Sequence, residues 1–533
     1  MALPMTPPAE FDPAHWRDCL QAHYGLSAEL QRLDGEYDLN LAVVRDGLRT
    51  HVLKVMRPGC QPEFVDMLCK AHAHVRARAA SLPVPDIVPA RDGALFLEVN
   101  DAARTPRLVW LISHLEGAPY ATCVRPGDAL HDRLGETLAQ LDRALQDFAH
   151  PALRRPCKWN LLTAEWIETE AAQIESPRDR ALVAHIASRY RRYLQDRLAA
   201  LPRQAIHNDL NDYNLMVASR DGTRSISGII DFGDMAHAPV VANLAIAAAY
   251  ALMGESDPVD ALCRLAAGYD RQQRLCDESL ALLFPLMLTR LAVSVTNSAI
   301  RKREHPDDPY VTISERPAWA LLHTLSRTPA EWVEARIRLA CGREAHPDDR
   351  RIGEWLAALP PAARAWPLPD ALRAAHRIGS VTEQPALAGD PVRASATTLA
   401  AAWSTLLAEL RQAHCAEALL ACEGDLLWPC GDDDASHPAS CRQAVRLGHT
   451  VYAPVGTPVR APLAGTVHRI TAQASLWHAL VLAHAMPDGT PFYTHVGGIA
   501  EGSQAFRPGT HVEVGMQLGV IASTPELSDG LGR

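Results

Sequence analysis

The 533-residue sequence predicts an α+β chain in four parts. These are a small β-rich lobe over residues 1–115, a large helical lobe over 116–340, a helical, proline-rich connector over 341–440 and a small all-β module over 441–533. Three observations carry that reading. Short apolar runs broken by turn residues fill 39–55 and return at 108–115. Helical spacing takes over after Gly117. From Gly448 onward short strands alternate with glycine and proline turns. The length by itself asks for roughly two to four domains.

In chain order, residues 13–30 read as a short helix ahead of the first strand. Leu39 to Val44 and His51 to Val55 are apolar runs around Arg45-Asp46-Gly47, a hairpin signal. Lys54 sits in the second run between Leu53 and Val55. Burying an unpaired ammonium is costly, so this lysine is either on an edge strand or has an anionic partner. Residues 62–79 form the next helix. Its acids Glu63 and Asp66 are candidates to pair with Lys54, and Asp66, deeper in the helix, is preferred. Leu108 to Leu115 is a strand running into Glu116-Gly117. Leu134, Leu138, Leu141, Leu145 and Phe148 keep helical spacing and define a buried face. One or two amphipathic helices follow over 164–200, and 239–253, 257–268, 277–302 and 317–340 are helix-like.

The chemistry concentrates in residues 205–234. Two short apolar strands, Leu215 to Val217 and Ile226 to Ile230, flank the turn Ser219-Arg220-Asp221-Gly222. Asn214 precedes the first and Asp231 follows the second, so a hairpin brings them side by side. Phosphoryl transfer needs an acceptor hydroxyl in line with a γ-phosphate, a base within reach of its proton, and Mg²⁺ held by hard oxygen ligands. Asp209 is placed as the base, and Asn214 and Asp231 offer an amide oxygen and a carboxylate. A plain hairpin would also explain an Asp-rich turn before an apolar strand, but it would not explain His207-x-Asp209 with Asn214 before the hairpin and Asp231-Phe232-Gly233 after it.

His207-Asn208-Asp209-Leu210-x-x-x-Asn214 resembles the catalytic loop of protein kinases, with Asn208 in place of the usual arginine. Asp231-Phe232-Gly233 resembles their metal motif, so the bilobal order is protein-kinase-like. That resemblance makes Lys54 the strand lysine that holds the α- and β-phosphates, with Asp66 as its acidic partner. It puts Glu116 at the hinge where the nucleotide base meets backbone groups. Leu33 to Asp38, with one glycine, becomes the loop over the phosphates.

A narrower likeness is carried by His207 to Asn214 followed by Gly228-Ile-Ile-Asp-Phe-Gly-Asp-Met235. This resembles the aminoglycoside phosphotransferase-like superfamily, and within it the hydroxylysine kinases and their bacterial relatives, over about residues 20–340. Tyr37-Asp38-Leu39-Asn40, Val52-Leu53-Lys54, His150-Pro151-Ala152 and Leu244 to Ala247 support it. The resemblance implies transfer of the γ-phosphate of ATP or GTP, with Mg²⁺, to a hydroxyl of a small amino acid or amino alcohol. It makes Asp209 the base and His207 a support of its loop. Asn214 and Asp231 become metal ligands, and Asp234 and Asp212 contribute to substrate or loop support. Relatives often carry an acid where this chain has Asn243, and Trp-Asp where it has Trp159-Asn160. Both departures are expected at positions of substrate selectivity.

A net charge of −10 with no basic stripe argues against a nucleic-acid partner. The N-terminus lacks the charged start and apolar core of an export signal. The longest apolar runs, Ala238 to Met253 and Leu280 to Leu288, fall short of the ~20 residues a spanning helix needs and read as core helices. Twelve cysteines with no CxxC pair read as reduced thiols, and Cys415, Cys422, Cys430 and Cys441 fit no zinc spacing. The cytoplasm is the expected compartment.

In the second half, Pro360, Pro361, Pro367, Pro369, Pro385 and Pro391 mark a broken helical connector. Residues 397–420 read as one amphipathic helix, and Asp432-Asp433-Asp434 as part of a solvated loop. The β-rich stretch from Val451 resembles the sheet of lysostaphin-like zinc peptidases over about 441–523. Their first ligand pair, His-x-x-x-Asp, falls here on Arg446 and Thr450, and a later histidine falls on Gly498. His449, His484, His495 and His511 could regroup around zinc, but a metal-free structural or docking module is the preferred expectation. The same order of parts resembles longer fusions that continue into a class-III PLP-dependent aminotransferase, and a shortened form of those stays open. Two other functions stay open as well: a nucleotide-binding regulatory or scaffold protein with an inactive docking module, and a zinc metallopeptidase.

Overall fold

The computed structural model describes residues 11–33, 35, 38–123, 128–220, 222–304, 315–369, 450–473, 477–500 and 506–522, with short strands at 376–379, 418–421, 426–427, 444–445 and 531–532. The chain divides into two units, Met1–Pro347 and Asp348–Arg533. The division falls just past the boundary read from composition. Arg343 reaches Asp270 at 2.7 Å and Asp277 at 3.5 Å, and these pairs tie residues 341–347 to the first unit.

The first unit opens with helix α1 (Pro13–Tyr24), capped by the Asp12 side chain and ended by Gly25 at φ +72. The expected helix to residue 30 stops there. Glu29–Leu33 is instead strand β1, paired antiparallel with β2 (Leu39–Arg45). Strand β3 (Leu48–Val55) completes the hairpin through Asp46 and Gly47, both at positive φ. Helix α2 spans Pro62–Arg78, and β4 (Ile87–Val88), β5 (Leu97–Asn100) and β6 (Pro106–Ser113) follow. The sheet order is β1-β2-β3-β6-β4, with β5 also on β6.

Period-two alternation decides what each face of this sheet carries. Leu39, Leu41, Leu53, Val55, Val109 and Leu111 turn to one face and pack on Trp16 and Leu20 of α1. Lys54 and its cross-strand neighbours Asn40 and Trp110 turn to the other. The lysine therefore faces the cleft, with its ammonium 5.7 Å from the Trp110 ring centre.

Beyond the hinge, the short strand β7 (Ala118–Pro119) leads to helix α3 (Asp128–Ala144). Three more helices follow: α4 (Ile167–Glu170), α5 (Pro177–Arg189) and α6 (Gln195–Ala200). The segment 207–235 is framed by β8 (Gln204–Ile206), paired with β11 (Ala236–Ala238). Inside that frame lies the hairpin β9 (Leu215–Arg220) and β10 (Thr223–Ile229), joined on β9 by β7. Helices α7 (Val240–Ala251), α8 (Pro258–Gln272), α9 (Asp277–Glu304), α10 (Glu315–Leu325) and α11 (Ala330–Ala340) complete the lobe. The single helix expected over 317–340 is two, because Pro329 opens α11 and cannot continue α10. Helix α9 is long and apolar enough to cross a membrane, but 83% of that window is buried, so it is the lobe's central core helix.

In the second unit, helix α12 (Asp349–Ala358) is followed by a meander in which Gly465–Gln473 pairs with Trp477–Ala485 and the latter with Pro491–Ala500. Ala461, Val467, Leu480, Leu482, Ile499, Val512 and Leu518 form its core. The helix expected over 397–420 lies outside the described residues except at its end, where Ala418–Ala421 is a strand. Cys415, Cys422, Cys430, Cys441, the triplet Asp432 to Asp434, Arg446 and His449 also lie outside them.

Candidate active site

Residues 207–214 form a tight loop between β8 and β9. Two non-glycine residues around it hold left-handed backbone: Asn208 at φ +66 and Asp231 at φ +60. Such residues are rare and cluster where side chains must be aimed. His207 is fully buried, accepts the Asp209 N–H on Nδ1 at 3.4 Å, and donates from Nε2 to the Ile230 carbonyl at 3.0 Å. Burial holds its imidazole down to about 4, despite Asp231 and the Ile230 carbonyl, so it is a neutral strut rather than a proton carrier. Phe232 stands edge-on to it at 4.7 Å.

Asp209 is held on every side. Arg290 Nη2 donates to its Oδ1 at 2.6 Å, and the Asn211 and Asn214 side-chain amides each donate to Oδ2 at 3.0 Å. Asn214 Nδ2 also donates to the Asp209 carbonyl at 2.8 Å. Carboxylate and carbonyl oxygens can only accept, so the orientation of the Asn214 amide follows: nitrogen toward Asp209, oxygen away. The Ile230 N–H donates to the Asn214 backbone carbonyl at 3.0 Å, which keeps the Asp231 segment next to Asn214.

Burial alone would raise the Asp231 carboxyl. The Lys54 ammonium, the Gly233 N–H, His207 and His72 outweigh it and hold the group below the usual carboxylate range. Lys54 and Asp231, 177 positions apart, are thus neighbours across the cleft. An ionised carboxylate beside an amide oxygen is a hard donor set, which fits Mg²⁺.

Asp66 is not the partner of Lys54. It pairs with Lys70 at 2.7 Å and with His150 at 3.1 Å. The buried residues of α2 are Val65, Met67, Leu68, Cys69, Ala71, His72 and Val75, and Asp66 is not among them. The carboxylates that act on Lys54 are Asp231 and Asp38, the latter anchored by the Arg57 N–H at 2.7 Å. Of the expected phosphate loop, Asp34, Glu36 and Tyr37 lie outside the described residues.

Glu116 is exposed at the hinge, and its carbonyl accepts the Ser227 hydroxyl at 2.7 Å. Gly117 is obligatory beside it: φ is +129, and a Cβ would meet Ser227 Oγ at 2.5 Å. Asp212 is buried, pushed up to about 6 by that burial, and its carbonyl accepts the Ala121 N–H at 2.9 Å. Asp234 accepts the Asn208 side-chain amide on its carbonyl at 3.1 Å and the Cys157 thiol on Oδ1 at 3.5 Å. Burial and then Asp231 raise its carboxyl. The Asp234 contacts tie it to the loop at Asn208, whereas the bond at Asp212 is made by its backbone. Asn243, expected to face substrate, is fully buried beneath the loop.

Arg290 was not legible as a site residue. It is buried on α9, stacked between Trp159 at 4.6 Å and Tyr250 at 5.3 Å, and it donates to the Trp159 carbonyl at 3.0 Å. The available signal was an arginine inside the apolar run 280–295, which is too costly to bury without an anion.

Fold and site together define a small-molecule phosphotransferase with an alcohol group as acceptor. Residues 29–276 match the sequence profile described as the phosphotransferase enzyme family, which supports the aminoglycoside phosphotransferase-like superfamily for this segment. Hydroxylysine kinase of Mus musculus is 27% identical over 277 residues, 50% of this chain and 73% of that protein. Hydroxylysine kinase of Danio rerio is 25% identical over 60% of this chain and 92% of that protein. Homoserine kinase of Paraburkholderia phymatum is 30% identical over 32% of this chain and 49% of that protein. The structure of a microcompartment-associated aminopropanol kinase is similar with a TM-score of 0.47 and 21% identity, covering 62% of this chain and 99% of that one. The family match ends at residue 276 and lends nothing to the peptidase resemblance of the second unit. Among the described residues no three His, Cys, Asp or Glu side chains gather as a metal group there.

Proposed function

We propose that this chain transfers the γ-phosphate of ATP or GTP to the hydroxyl of a small hydroxylated amino acid, with hydroxylysine the first compound to test. Asp209 is the base that takes the acceptor proton, Asn214 and Asp231 hold Mg²⁺, and Lys54 binds the phosphates. The observation that carries the reading is the Asp209 carboxylate, fixed by Arg290 at 2.6 Å and by two amides, on the same loop as Asn214. A base held this firmly costs no reorganisation when the hydroxyl arrives. The metal would supply charge neutralisation between the phosphates. The chain's own residues aim the base, present the two oxygens and set a cation on the opposite wall. Relatives named hydroxylysine kinase and homoserine kinase support a hydroxyamino acid as acceptor. We place the activity in the cytoplasm, where nucleotide triphosphates are abundant. The free cysteines of the described residues suit that compartment.

The test is a panel of hydroxylysine, homoserine, aminopropanol and ethanolamine against ATP and GTP, with nucleotide diphosphate as the readout. One compound should stimulate turnover well above the others. Asp209→Asn should lower that turnover by about 10²–10⁴ while nucleotide still binds. A variant that keeps full turnover removes Asp209 from the mechanism, and a panel without any stimulation favours a nucleotide sensor.

A further inference from the structure

The loop that carries Asp209 is fastened from below by a chain of buried polar groups. The Asn208 backbone N–H donates to Asn243 Oδ1 on α7 at 3.0 Å. Asn243 Nδ2 donates to Asp142 Oδ1 on α3 at 2.7 Å. The Tyr269 hydroxyl of α8 donates to Asp142 Oδ2 at 2.9 Å. Asn208, Asn243 and Asp142 are all fully buried. The convergence depends on the close crossing of α3 and α8. A Cβ on Gly135 would lie 2.1 Å from the Leu265 carbonyl oxygen, and one on Gly268 would lie 2.1 Å from that of Asp132.

The order of donors and acceptors in this chain is determined at its ends. A backbone N–H can only donate, so Asn243 must turn its oxygen to Asn208 and its NH₂ the other way. That NH₂ is buried and needs an acceptor, which Asp142 provides. We propose that Asp142, acting through Asn243, is a positioning residue for phosphoryl transfer: it fixes which way the Asn243 amide faces and so holds the 207–208 peptide in the left-handed geometry that aims Asp209. Burial pushes the Asp142 carboxyl up to about 7, yet Oδ1 accepts in either protonation state, since a proton on Oδ2 would point to Tyr269. The inference rests on Asp209 acting as the base, which Asp209→Asn tests separately.

An exchange of the two side chains tests the chain itself. In Asn243→Asp one carboxylate oxygen can still accept the Asn208 N–H, but the donor toward Asp142 is gone, and the repulsion between two facing carboxyl groups pulls that acceptor out of place. Adding Asp142→Asn restores one donor and one acceptor at each contact, because the amide introduced on α3 donates to the carboxylate introduced on α7. ADP formation from MgATP is measured with and without hydroxylysine, and MgATP binding by calorimetry. The single variant N243D should lower kcat by about 10–100-fold with the MgATP dissociation constant within about threefold, as a misaimed base would. The double variant D142N/N243D should recover to within about fivefold of the parent. Unchanged kcat in N243D, or a double variant no faster than N243D, overturns the proposal. Should N243D not fold, Asn243→Ala takes its place: the same loss is expected. Rescue of N243A by D142N, or full kcat in N243A, overturns the proposal equally.

Discussion

The two walls of the cleft are built to different standards. On the helical side, Asp209 is gripped by Arg290, Asn211 and Asn214, and its loop is pinned by His207 and Asn243. On the sheet side, Lys54 stands over Trp110 and answers to Asp38 and Asp231, without an acid from the neighbouring helix. The buried face of α2 offers His72 where the sequence suggested a carboxylate, and burial keeps that imidazole neutral, down to about 3. The difference teaches where order must pre-exist. A base has to be aimed before the hydroxyl arrives, whereas a phosphate-binding cation can be drawn into place by the charge of its ligand.

That contrast can be broken first at its strongest point. Arg290→Lys keeps a positive charge but loses the planar fork that serves Asp209 and the Trp159 carbonyl together. Turnover should fall about 10–100-fold with little change in nucleotide affinity, as read from kcat against the KM for ATP. A rise in KM alone would put Arg290 on the binding side instead. Lys54→Met should show the mirror image, a KM for ATP raised about tenfold or more with the fold intact, because a charge-assisted phosphate contact is lost. Calorimetric titration with MgATP checks it, and unchanged affinity would remove Lys54 from the phosphate site.

Acid should loosen both walls in a defined window. His207 and His72 are buried neutral, so the unfolded chain binds protons near pH 6.5 that the folded chain refuses until about pH 4 and about pH 3. Their contribution is full above pH 6.5 and is lost as pH falls below it, by on the order of 1–3 kcal/mol. Urea midpoints between pH 7 and pH 5 measure this, and His207→Gln should flatten the slope. The smallest effect belongs to Asp66→Asn. The Lys70 pair is largely exposed and the His150 pair only partly buried, so KM for ATP should stay nearly unchanged and stability should fall little. A marked rise in KM would restore Asp66 as the partner of Lys54.

The residues that could be read from the chain are those whose chemistry is local. The loop His207 to Asn214, the hairpin behind it and Asp231 lie within 25 positions, and turn residues and alternation bring them together. Lys54 stood out because an ammonium between Leu53 and Val55 asks for an edge strand or an anionic partner, and the loop at 207–214 favoured the partner. Asp66 misled because helical spacing defines a stripe but not which neighbouring side chain the stripe meets. The end of α1, the extra strand β1 and the break at Pro329 are boundary matters settled by capping and pairing.

By itself the sequence determined the succession of β-rich and helical parts, which short-range periodicity records, and, through the resemblance of two short motifs to known families, the type of reaction. Only the tertiary structure decided that Arg290, 81 positions from Asp209, is the cation that holds it, and that Asp142 and Asn243 lie beneath its loop. Those contacts depend on how α3, α7, α8 and α9 cross. Crossing is set by packing across the whole lobe, through surfaces such as the Gly135 and Gly268 approach, and no local pattern of residues encodes it.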